Sequence, residues 1–289
     1  MGSSERVAPE DVRTLTCVGE GVVGGGWAAY FLAHGYRVVA WDPAPDAEQR
    51  LRHLVTSAWP ALTELGLAPG ASLDNLTVEP DLAAAVADTD DLVQESAPED
   101  LALKIALLAR IDAVTPAHVV ISSSTSGYGM SEMQGGCVHP ERTVVAHPFN
   151  PPYLVPLVEV VGGRDTEPEV VQWTSDFFRH AGKSVITMDK EVPGFVANRL
   201  QEALWREALH MVAAGEATVE QIDLSITDGP GLRWPVQGPM MTFHLPPRRG
   251  PGRHGAHARP LRPLPAVAVD AAGRGGADPR VARRGGGRL

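Results

Sequence analysis

Three glycines near the N-terminus, Gly19, Gly21 and Gly24, form a G-x-G-x-x-G motif that constrains the fold more than any other feature. The motif follows the apolar, strand-like run Thr14–Val18 and precedes a helix-like run that ends at Gly35. In a strand–turn–helix unit the first glycine permits the tight turn, the second lets the backbone approach a pyrophosphate, and the third allows close packing of helix on strand. The pattern predicts a dinucleotide-binding unit; a glycine-rich turn without a ligand is the alternative.

A carboxylate marks the end of the next predicted strand. Asp42 follows Arg37–Trp41 and lies about 20 residues beyond the motif. At this position a carboxylate accepts hydrogen bonds from the adenosine ribose hydroxyls and repels a 2′-phosphate. We therefore expect NAD rather than NADP as the cofactor. Gly25 and Gly26 extend the glycine run, and the pattern indicates no separate role for them.

Short apolar runs alternate with helical stretches after the motif. The runs with strand character are Thr14–Val18, Arg37–Trp41, Asp91–Glu95, Val119–Ser123, Thr143–Ala146, Leu157–Val161 and Ser184–Met188. A helical stretch, Glu167–His180, separates the last two. Such alternation is typical of a parallel sheet with helices on both faces. We therefore predict an α/β fold with a Rossmann-type, doubly wound, mostly parallel sheet.

The pattern changes to longer helices after Pro193. Gly194–Ala214 and Thr218–Thr227 have helical character, and Thr218 with Gln221 has the spacing of a capping box. We therefore expect a second, smaller and all-helical domain. The predicted domains are residues 1–191, which bind NAD; 192–245, an incomplete helical substrate and dimerisation domain; and 246–289, a tail.

The tail from Pro246 to Leu289 differs in composition from the rest of the chain. It holds ten arginines, two aspartates, no lysine and no glutamate, so its charge is about +8 and that of the remainder about −18. A sequence rich in Arg, Pro, Gly and Ala without periodicity cannot bury enough apolar surface to offset its ordering entropy. We expect most of the tail to be disordered. We hypothesise that it is an out-of-frame reading of a GC-rich gene, which resequencing of the coding DNA tests.

Composition excludes several classes of function. The formal net charge of −10 disfavours nucleic acid and anionic membranes as partners, because both require a cationic face. The two cysteines, Cys17 and Cys137, lack metal-type spacing, so we expect neither disulfides nor a metal site. No apolar run approaches the ~18–20 residues of a membrane span, and the first residues lack the apolar core of a signal peptide. We predict a soluble, cytoplasmic protein.

Residues with chemical potential stand at later strand ends. Ser123 lies in a hydroxyl-rich run at the sheet edge where doubly wound folds hold ligands. His147 follows the next strand, and Glu159 stands inside an otherwise apolar one. A buried carboxylate needs a partner, and Glu159 bound to one imidazole nitrogen would fix the tautomer of His147 and raise the basicity of the other nitrogen. A turn cap for Ser123 and a structural His–Glu pair are the alternatives.

Four residues match a known family in order and spacing. They are Ser123, His147, Glu159 and, in the sequence PGFVANRL, Asn198. This pattern resembles that of the 3-hydroxyacyl-CoA dehydrogenase superfamily. The resemblance implies NAD-dependent oxidation of a secondary alcohol, with His147 as the general base for the hydroxyl proton. It further implies that Glu159 orients and polarises His147, whereas Ser123 and Asn198 hydrogen-bond the reacting oxygen.

Three more residues resemble the cofactor contacts of this superfamily. Glu99 and Lys104 look like its acid and lysine near the cofactor, and a solvated helix start with Glu at the positive end of the dipole is the alternative. Asn150 looks like its asparagine close to the nicotinamide, and an Asn-Pro-Pro turn is the alternative.

The scarcity of basic residues bears on substrate size. Coenzyme A carries several phosphates, so an enzyme for its thioesters should offer Lys or Arg beside its binding tunnel. The segment His53–Leu103 contains neither, and the chain has only the lysines Lys104, Lys183 and Lys190. This favours a small substrate over an acyl-CoA.

Between Thr14 and His244 the chain resembles the hydroxy-acid branch of the superfamily, which includes L-gulonate 3-dehydrogenases, lambda-crystallins and carnitine 3-dehydrogenases. The last are most similar in Trp41–Pro45, His147–Gly163 and Glu202–His210. The resemblance implies oxidation at C3 of a small hydroxy acid: carnitine first, an L-gulonate-type acid second, a 3-hydroxyacyl-CoA third.

Carnitine has a carboxylate and a trimethylammonium group to be recognised. Arg233 is a candidate for the carboxylate, because its planar fork grips this group bidentately; a surface salt bridge is the alternative. A trimethylammonium group favours an aromatic face, and packing in a core is the alternative for each aromatic residue. The aromatic candidates are Phe149, Phe195, Trp205 and Trp234.

Three classes of function remain open. The first is an active hydroxy-acid dehydrogenase, which the resemblance implies to be a homodimer. The second is a crystallin-like protein that binds NAD without turnover, and the third is an inactive, truncated relative. The third is open because the family continues beyond His244 with further helices, whereas this chain departs from the pattern there.

Overall fold

The apolar run before the glycine motif forms the central strand of a sheet, and all five of its side chains, Thr14–Val18, are buried. The computed structural model describes residues 6–87, 89 and 92–244, so the tail for which we predict disorder and a frameshift lies outside the described residues. Burial along a whole strand requires helices on both faces of the sheet. The predicted fold class, a doubly wound and mostly parallel α/β sheet followed by helices, is confirmed.

The sheet has eight strands in the described part of the chain. They are β1 Thr14–Val18, β2 Arg37–Trp41, β3 Leu76–Val78, β4 Leu92–Glu95, β5 Val120–Ser123, β6 Thr143–Pro148, β7 Leu157–Gly162 and β8 Ser184–Met188. Their order is β3-β2-β1-β4-β5-β6-β7-β8. Strands β1 to β6 run parallel, and β7 and β8 run in the opposite direction. The strand order reverses between β1 and β4, which opens a crevice at their carboxyl ends, where such sheets bind ligands.

Helices cover both faces of the sheet. The α-helices described are α1 Val22–Ala33, α2 Ala47–Leu65, α3 Leu82–Ala87, α4 Leu101–Val114, α5 Met130–Met133, α6 Pro168–His180, α7 Ala197–Ala214, α8 Val219–Thr227 and α9 Pro239–His244. Apolar side chains of α1, α2 and α6 form one core, and those of α3, α4 and α5 form the core of the opposite face. None of the helices described is long and apolar enough to cross a bilayer.

Apart from shifts of one or two residues at strand ends, the sequence pattern differs from the structure in two places. It does not predict β3, since three residues are too few to display periodicity. The helix predicted from Gly194 begins at Ala197, because Gly194 and Phe195 have φ angles of 71° and 54°, which a right-handed helix excludes. The capping box at Thr218 is confirmed, with the side chains and backbones of Thr218 and Gln221 bonded reciprocally.

The chain divides into two compact units. The first ends at Asn198 and contains the sheet, and the second begins at Arg199. The second unit includes α8, α9 and nearly all of α7. Because the first unit extends to Asn198, it contains the loop after β8 and the start of α7 in addition to the sheet.

Candidate active site

A cleft of about 1030 Å³ opens at the carboxyl ends of the parallel strands. A volume of this order, at the upper end of the roughly 300–1,000 Å³ typical of ligand pockets, accommodates a cofactor with a small substrate. All the residues that line it belong to the first unit. They include Gly19, Gly21, Asp42, Glu99, Ser124, Ser126, His147, Asn150 and Asn198.

The glycine turn fits a dinucleotide. A Cβ on Gly24 would lie 1.8 Å from the carbonyl oxygen of Gly19, and one on Gly19, where φ is +89°, would lie 2.8 Å from the amide nitrogen of Ala97. A Cβ on Gly21 would meet nothing within 4 Å. The protein itself therefore requires Gly19 and Gly24, whereas Gly21 leaves open space at the N-terminus of α1. Free N–H groups and the positive end of a helix dipole in that space suit a pyrophosphate.

Gly25 and Gly26, for which the sequence indicates no role, have one in packing. A Cβ on Gly25 would lie 2.8 Å from a side-chain carbon of Leu54, and one on Gly26 would lie 2.6 Å from Cδ of Pro152. The two glycines bring α1 close to α2 and to the loop after His147. A glycine inside a helix costs about 0.5–1 kcal/mol relative to alanine, so a run of them signals such a close approach.

Asp42 lies where the sequence predicts, and the backbone holds it in place. Its Oδ2 accepts a hydrogen bond from the amide of Glu20 at 2.8 Å, and its Oδ1 accepts one from the amide of Ala44 at 2.9 Å. The guanidinium of Arg50 is 4.0 Å from Oδ1. Each carboxylate oxygen keeps a second lone pair for a ribose hydroxyl. Two amides and a guanidinium together form a site for an anion that the Asp42 carboxylate fills.

The Glu20 side chain lies beside this carboxylate and is buried. In the described residues neither of its carboxyl oxygens has a hydrogen-bond partner. Burial and, next, the negative charge of Asp42 raise the pKa of Glu20 well above its ordinary value. Burial and the neighbouring carboxylate therefore favour the neutral form of Glu20.

His147 and Glu159 form a buried dyad. They stand opposite each other in the antiparallel register of β6 and β7, with His147 Nδ1 and Glu159 Oε2 3.0 Å apart. The other oxygen of Glu159 accepts hydrogen bonds from the amides of Val196 and Ala197, both at 3.0 Å. Burial alone would raise the pKa of Glu159, but hydrogen bonds from His147 and these amides outweigh it and hold the pKa below its ordinary value. In a neutral ring, the ionised carboxylate fixes the proton on Nδ1 and leaves the lone pair of Nε2 free to accept a proton.

Two phenylalanines enclose the imidazole. The ring centroids of Phe149 and Phe195 are 4.8 Å and 5.2 Å from that of His147. Phe195 has a positive φ of 54°, a conformation that costs a non-glycine residue about 1–3 kcal/mol. The hydrogen bonds that this turn allows, from the amides of Val196 and Ala197 to Glu159, offset the cost. The PGF sequence before Asn198 is the signal that could have located the turn.

Ser123 is buried and is not among the residues that line the cleft, and its contact with the substrate stays a prediction. Its hydroxyl donates to a carboxylate oxygen of Glu95 and accepts from the amide of Thr125 at 3.2 Å. The hydroxyl run continues beyond the end of β5, and there Ser126 lines the cleft. The Nδ2 of Asn198 donates to the carbonyl oxygen of Ser126 at 3.1 Å. Ser126 follows the strand and faces the cleft, whereas Ser123 lies inside the strand and pairs with Glu95 of β4.

Lys104 is likewise not among the residues that line the cleft, and its contact with the cofactor stays a prediction. It is buried, and its Nζ donates to Oε1 of Glu95 at 2.9 Å and to the carbonyl of Ala97 at 3.1 Å. Glu99 lines the cleft as predicted, 3.6 Å from Nζ of Lys104, and accepts from the amide of Gly127 at 3.0 Å. Lys104 therefore supports the loop after β4, and Glu99 ties that loop to the one after β5.

The remaining predicted residues divide between the units. Asn150 lines the cleft of the first unit. Arg233 and Trp234 belong to the second unit and are exposed, and their contact with substrate stays a prediction.

A sequence model of the 3-hydroxyacyl-CoA dehydrogenase NAD-binding domain matches residues 14–192, which is more than half of the chain. The chain belongs to the 3-hydroxyacyl-CoA dehydrogenase family. A second model, of the C-terminal domain of this family, matches residues 194–247. The resemblance seen in the sequence and the expected cofactor, NAD, are thereby confirmed. The glycine turn that fits a dinucleotide belongs to the matched NAD-binding domain.

The chain is similar to bacterial proteins of this family named L-carnitine dehydrogenase. The one from Nocardiopsis dassonvillei is 70% identical over 85% of this chain and 74% of its own length. That from Streptomyces coelicolor is 69% identical over 82% of this chain and 74% of its own length. That from Pseudomonas aeruginosa is 51% identical over 81% of this chain and 73% of its own length.

Solved structures of the family have the same fold. An NAD-dependent 5-formyl-3-hydroxy-2-methylpyridine 4-carboxylic acid 5-dehydrogenase is 35% identical, with a TM-score of 0.76 over 80% of this chain and 75% of its own. A 3-hydroxybutyryl-CoA dehydrogenase from Escherichia coli is 30% identical, with a TM-score of 0.70 over 76% of this chain and 47% of its own. Members that act on different substrates thus share this fold, so the fold does not identify the substrate.

The anion site at Asp42 predicts how the coenzyme preference changes. In Asp42→Ser a 2′-phosphate can take the place of the carboxylate, against the amides of Glu20 and Ala44 and the guanidinium of Arg50. We expect NADPH to bind about tenfold more tightly, because its phosphate accepts charge-assisted hydrogen bonds there, and NADH about tenfold more weakly, because its ribose hydroxyls no longer have a carboxylate acceptor. Fluorescence titration of each nucleotide measures both constants.

Arg50 provides the control for this prediction. Adding Arg50→Ala to Asp42→Ser should abolish the gain in NADPH affinity, and adding Arg52→Ala, on the same helix but outside the cleft, should preserve it. Unchanged NADPH affinity in Asp42→Ser would contradict the prediction.

Proposed function

We propose that this chain oxidises L-carnitine to 3-dehydrocarnitine, with NAD reduced to NADH and one proton released. The observation that carries the proposal is the 70% identity, over 245 residues, to a protein named L-carnitine dehydrogenase. The buried dyad of His147 and Glu159 supports it, because oxidation of a secondary alcohol requires a base for the hydroxyl proton.

In this proposal His147 removes the hydroxyl proton of the substrate through Nε2. Glu159 is a positioning residue that fixes the tautomer and stabilises the imidazolium as it forms. Ser126, which lines the cleft, and Asn198 supply hydrogen-bond donors for the substrate oxygen. Phe149 and Phe195 exclude water from the imidazole.

The cofactor would be held along the carboxyl ends of the strands. Gly19, Gly21 and the N-terminus of α1 suit the pyrophosphate, Asp42 the adenosine ribose, and Glu99 and Asn150 the nicotinamide half. When bound, NAD supplies the hydride acceptor for the carbon that loses its hydrogen. The protein supplies the base, the orientation and the exclusion of water.

A small substrate agrees with the charges of the cleft. Its lining has two cationic side chains, Arg50 beside Asp42 and Arg110 with its guanidinium 5.6 Å from the Trp41 ring centroid. Both stand beside the end of β2, the adenosine end of the cleft. Among the described residues, the lining near His147 has no cation to receive the phosphates of coenzyme A. We retain Arg233 and Trp234 as proposed contacts for the carboxylate and trimethylammonium groups of carnitine.

We also propose that the enzyme is a cytoplasmic homodimer. Support comes from α7, which exposes large apolar side chains in the second unit, including Leu204, Trp205 and Leu209, at 43%, 59% and 49% exposure. Contiguous exposed apolar residues mark interaction surfaces. Sedimentation equilibrium should give twice the mass of one chain, and the mass of a single chain would contradict the proposal.

NADH formation by the purified full chain tests the proposed function. The substrates to compare are L-carnitine, D-carnitine, L-gulonate and 3-hydroxybutyryl-CoA, each with NAD and with NADP. We expect turnover with L-carnitine and NAD. Turnover with L-gulonate or the thioester alone would replace the proposed substrate. NADH binding without turnover of any substrate would instead indicate a crystallin-like or inactive relative.

A further inference from the structure

Lys183 carries a buried amino group that the proposed chemistry does not use. It directly precedes β8 and is 6% exposed. Its Nζ donates to the carbonyl oxygen of Pro152 and, at 3.2 Å, to that of Val155. The same Nζ lies 3.7 Å from the ring centroid of Tyr30 and 5.0 Å from that of Trp27. Its recorded partners in the described residues are therefore two backbone carbonyls and two aromatic faces, without a carboxylate.

Both carbonyls belong to the loop 149–156, which joins the two halves of the dyad. The loop directly follows β6, which carries His147, and directly precedes β7, which carries Glu159. Its first residues, Phe149 and Asn150, line the cleft. Lys183 thus bonds the later part of the loop, at Pro152 and Val155, whereas the first residues of the loop face the cleft.

The aromatic faces belong to α1, the helix whose N-terminus suits the pyrophosphate. The same helix meets the loop directly, since Gly26 leaves room for Pro152. It also reaches the cleft, because Nε1 of Trp27 donates to the hydroxyl of Ser124, which lines the cleft, at 3.2 Å. Lys183 therefore stands where the dinucleotide helix and the dyad loop meet.

We propose that Lys183 is a positioning residue for the reaction, which holds loop 149–156 so that His147 and Asn150 keep their places relative to α1. Removing an ammonium from water is costly, so a buried one is retained where its hydrogen bonds fix a geometry. An apolar residue of similar volume would pack here without bonding either carbonyl. The inference rests on the proposed function for its kinetic readout, and its structural readout is independent of any substrate.

The test compares Lys183→Met, which removes the donors, with Lys183→Arg, which restores them, and with the matched control Lys190→Met at an exposed lysine. Hydrogen exchange of the Leu154 and Val155 amides measures how stably the loop is held, since both amides donate to the carbonyl of Pro151 at 3.0 Å. We expect exchange there to rise about tenfold or more in Lys183→Met while that of β1 is unchanged. Wild-type exchange in the loop would overturn the proposal.

The kinetic readout separates positioning from a general structural role. We expect kcat with L-carnitine to fall about 10- to 100-fold in Lys183→Met, with the Kd of NADH within about twofold of wild type, because misplacement of the catalytic groups affects the reaction more than nucleotide binding. Lys183→Arg should recover part of kcat. Unchanged kcat in Lys183→Met would overturn the proposal. If wild type does not oxidise L-carnitine, the proposed function fails, and loop exchange still decides the role of Lys183.

The pH dependence of stability gives a further readout. Burial lowers the pKa of Lys183 from 10.5 to about 7, so between these values the unfolded chain binds more protons at this residue than the folded chain. Its contribution to the free energy of unfolding therefore rises with pH across this window. The titratable groups recorded against it are Tyr30 on α1 and His34 directly after α1. Burial and then the charge of Lys183 lower the pKa of His34. In wild type the urea midpoint of unfolding should rise with pH across this window, and in Lys183→Met this part of the rise should be absent. If the midpoints of the two proteins changed with pH in parallel, the Lys183 amino group would not be buried in the folded chain.

If Lys183→Met does not fold, Lys183→Gln takes its place. Glutamine keeps a neutral donor and lacks the charge, so it should bond one of the two carbonyls. The exchange rate of the loop amides should then lie between that of wild type and the about tenfold higher rate expected when neither carbonyl is bonded. Wild-type exchange and wild-type kcat in Lys183→Gln would overturn the proposal.

Discussion

Replacing His147 with glutamine is expected to lower the rate of NADH formation from L-carnitine by about a thousandfold, within the range that a general base contributes. Glutamine keeps a polar side chain of similar reach but cannot accept the hydroxyl proton. Glu159→Gln should have a smaller effect, about 10- to 100-fold, because an amide can still bond Nδ1 but does not stabilise the imidazolium. Initial rates at saturating L-carnitine and NAD measure both effects.

The control for this prediction is His53→Gln, which changes an exposed histidine on α2 outside the cleft. It should retain the wild-type rate. The Kd of NADH should change little in His147→Gln, since the glycine turn and Asp42 are untouched. A His147→Gln enzyme that kept a tenth or more of the rate would assign the base to another residue.

Alanine at Gly24 and at Gly21 should affect the molecule in opposite ways. Gly24→Ala places a Cβ 1.8 Å from the carbonyl oxygen of Gly19, so the turn must open. We expect a loss of about 3 kcal/mol in the free energy of unfolding, the upper part of the range for overpacking. Gly21→Ala places its Cβ in open space, so stability should stay near that of wild type. Urea denaturation of the full chain measures both.

Nucleotide binding completes this comparison. The methyl group of Gly21→Ala occupies the space into which the pyrophosphate fits, so we expect the Kd of NADH to rise about 100-fold, equivalent to about 2.8 kcal/mol. Fluorescence titration with NADH measures it. Wild-type affinity in Gly21→Ala would show that the pyrophosphate lies elsewhere, and wild-type stability in Gly24→Ala would contradict the packing of the turn.

The fold could be predicted from the sequence largely because buried strands have a strong local signal. The runs that become β1, β2 and β8 are apolar or bounded by turns, and their limits agree with the structure. β3 could not be predicted, since it is short and lies at the edge of the sheet. The start of α7 could not be placed, because the positive φ of Phe195 depends on a contact with Glu159 that only the folded chain makes.

The candidate site could be predicted in part. His147 and Glu159 are found from the sequence, because a carboxylate within an apolar strand demands a partner. Ser126 is missed, since several hydroxyls follow one another and only the end of β5 distinguishes them. The buried position of Lys104 and of Lys183 could not be predicted, because nothing local in the sequence indicates whether a lysine faces a ligand or bonds backbone carbonyls.

The most direct test of the proposed reaction supplies the full chain with NAD and with L-carnitine deuterated at C3, and determines the mass of the NADH formed. The account predicts that the NADH formed carries the deuterium. It also predicts that His147→Gln forms this NADH about a thousandfold more slowly than wild type. NADH without deuterium would show that the hydride leaves another carbon. No NADH from L-carnitine, by a protein that still binds the coenzyme, would contradict the account.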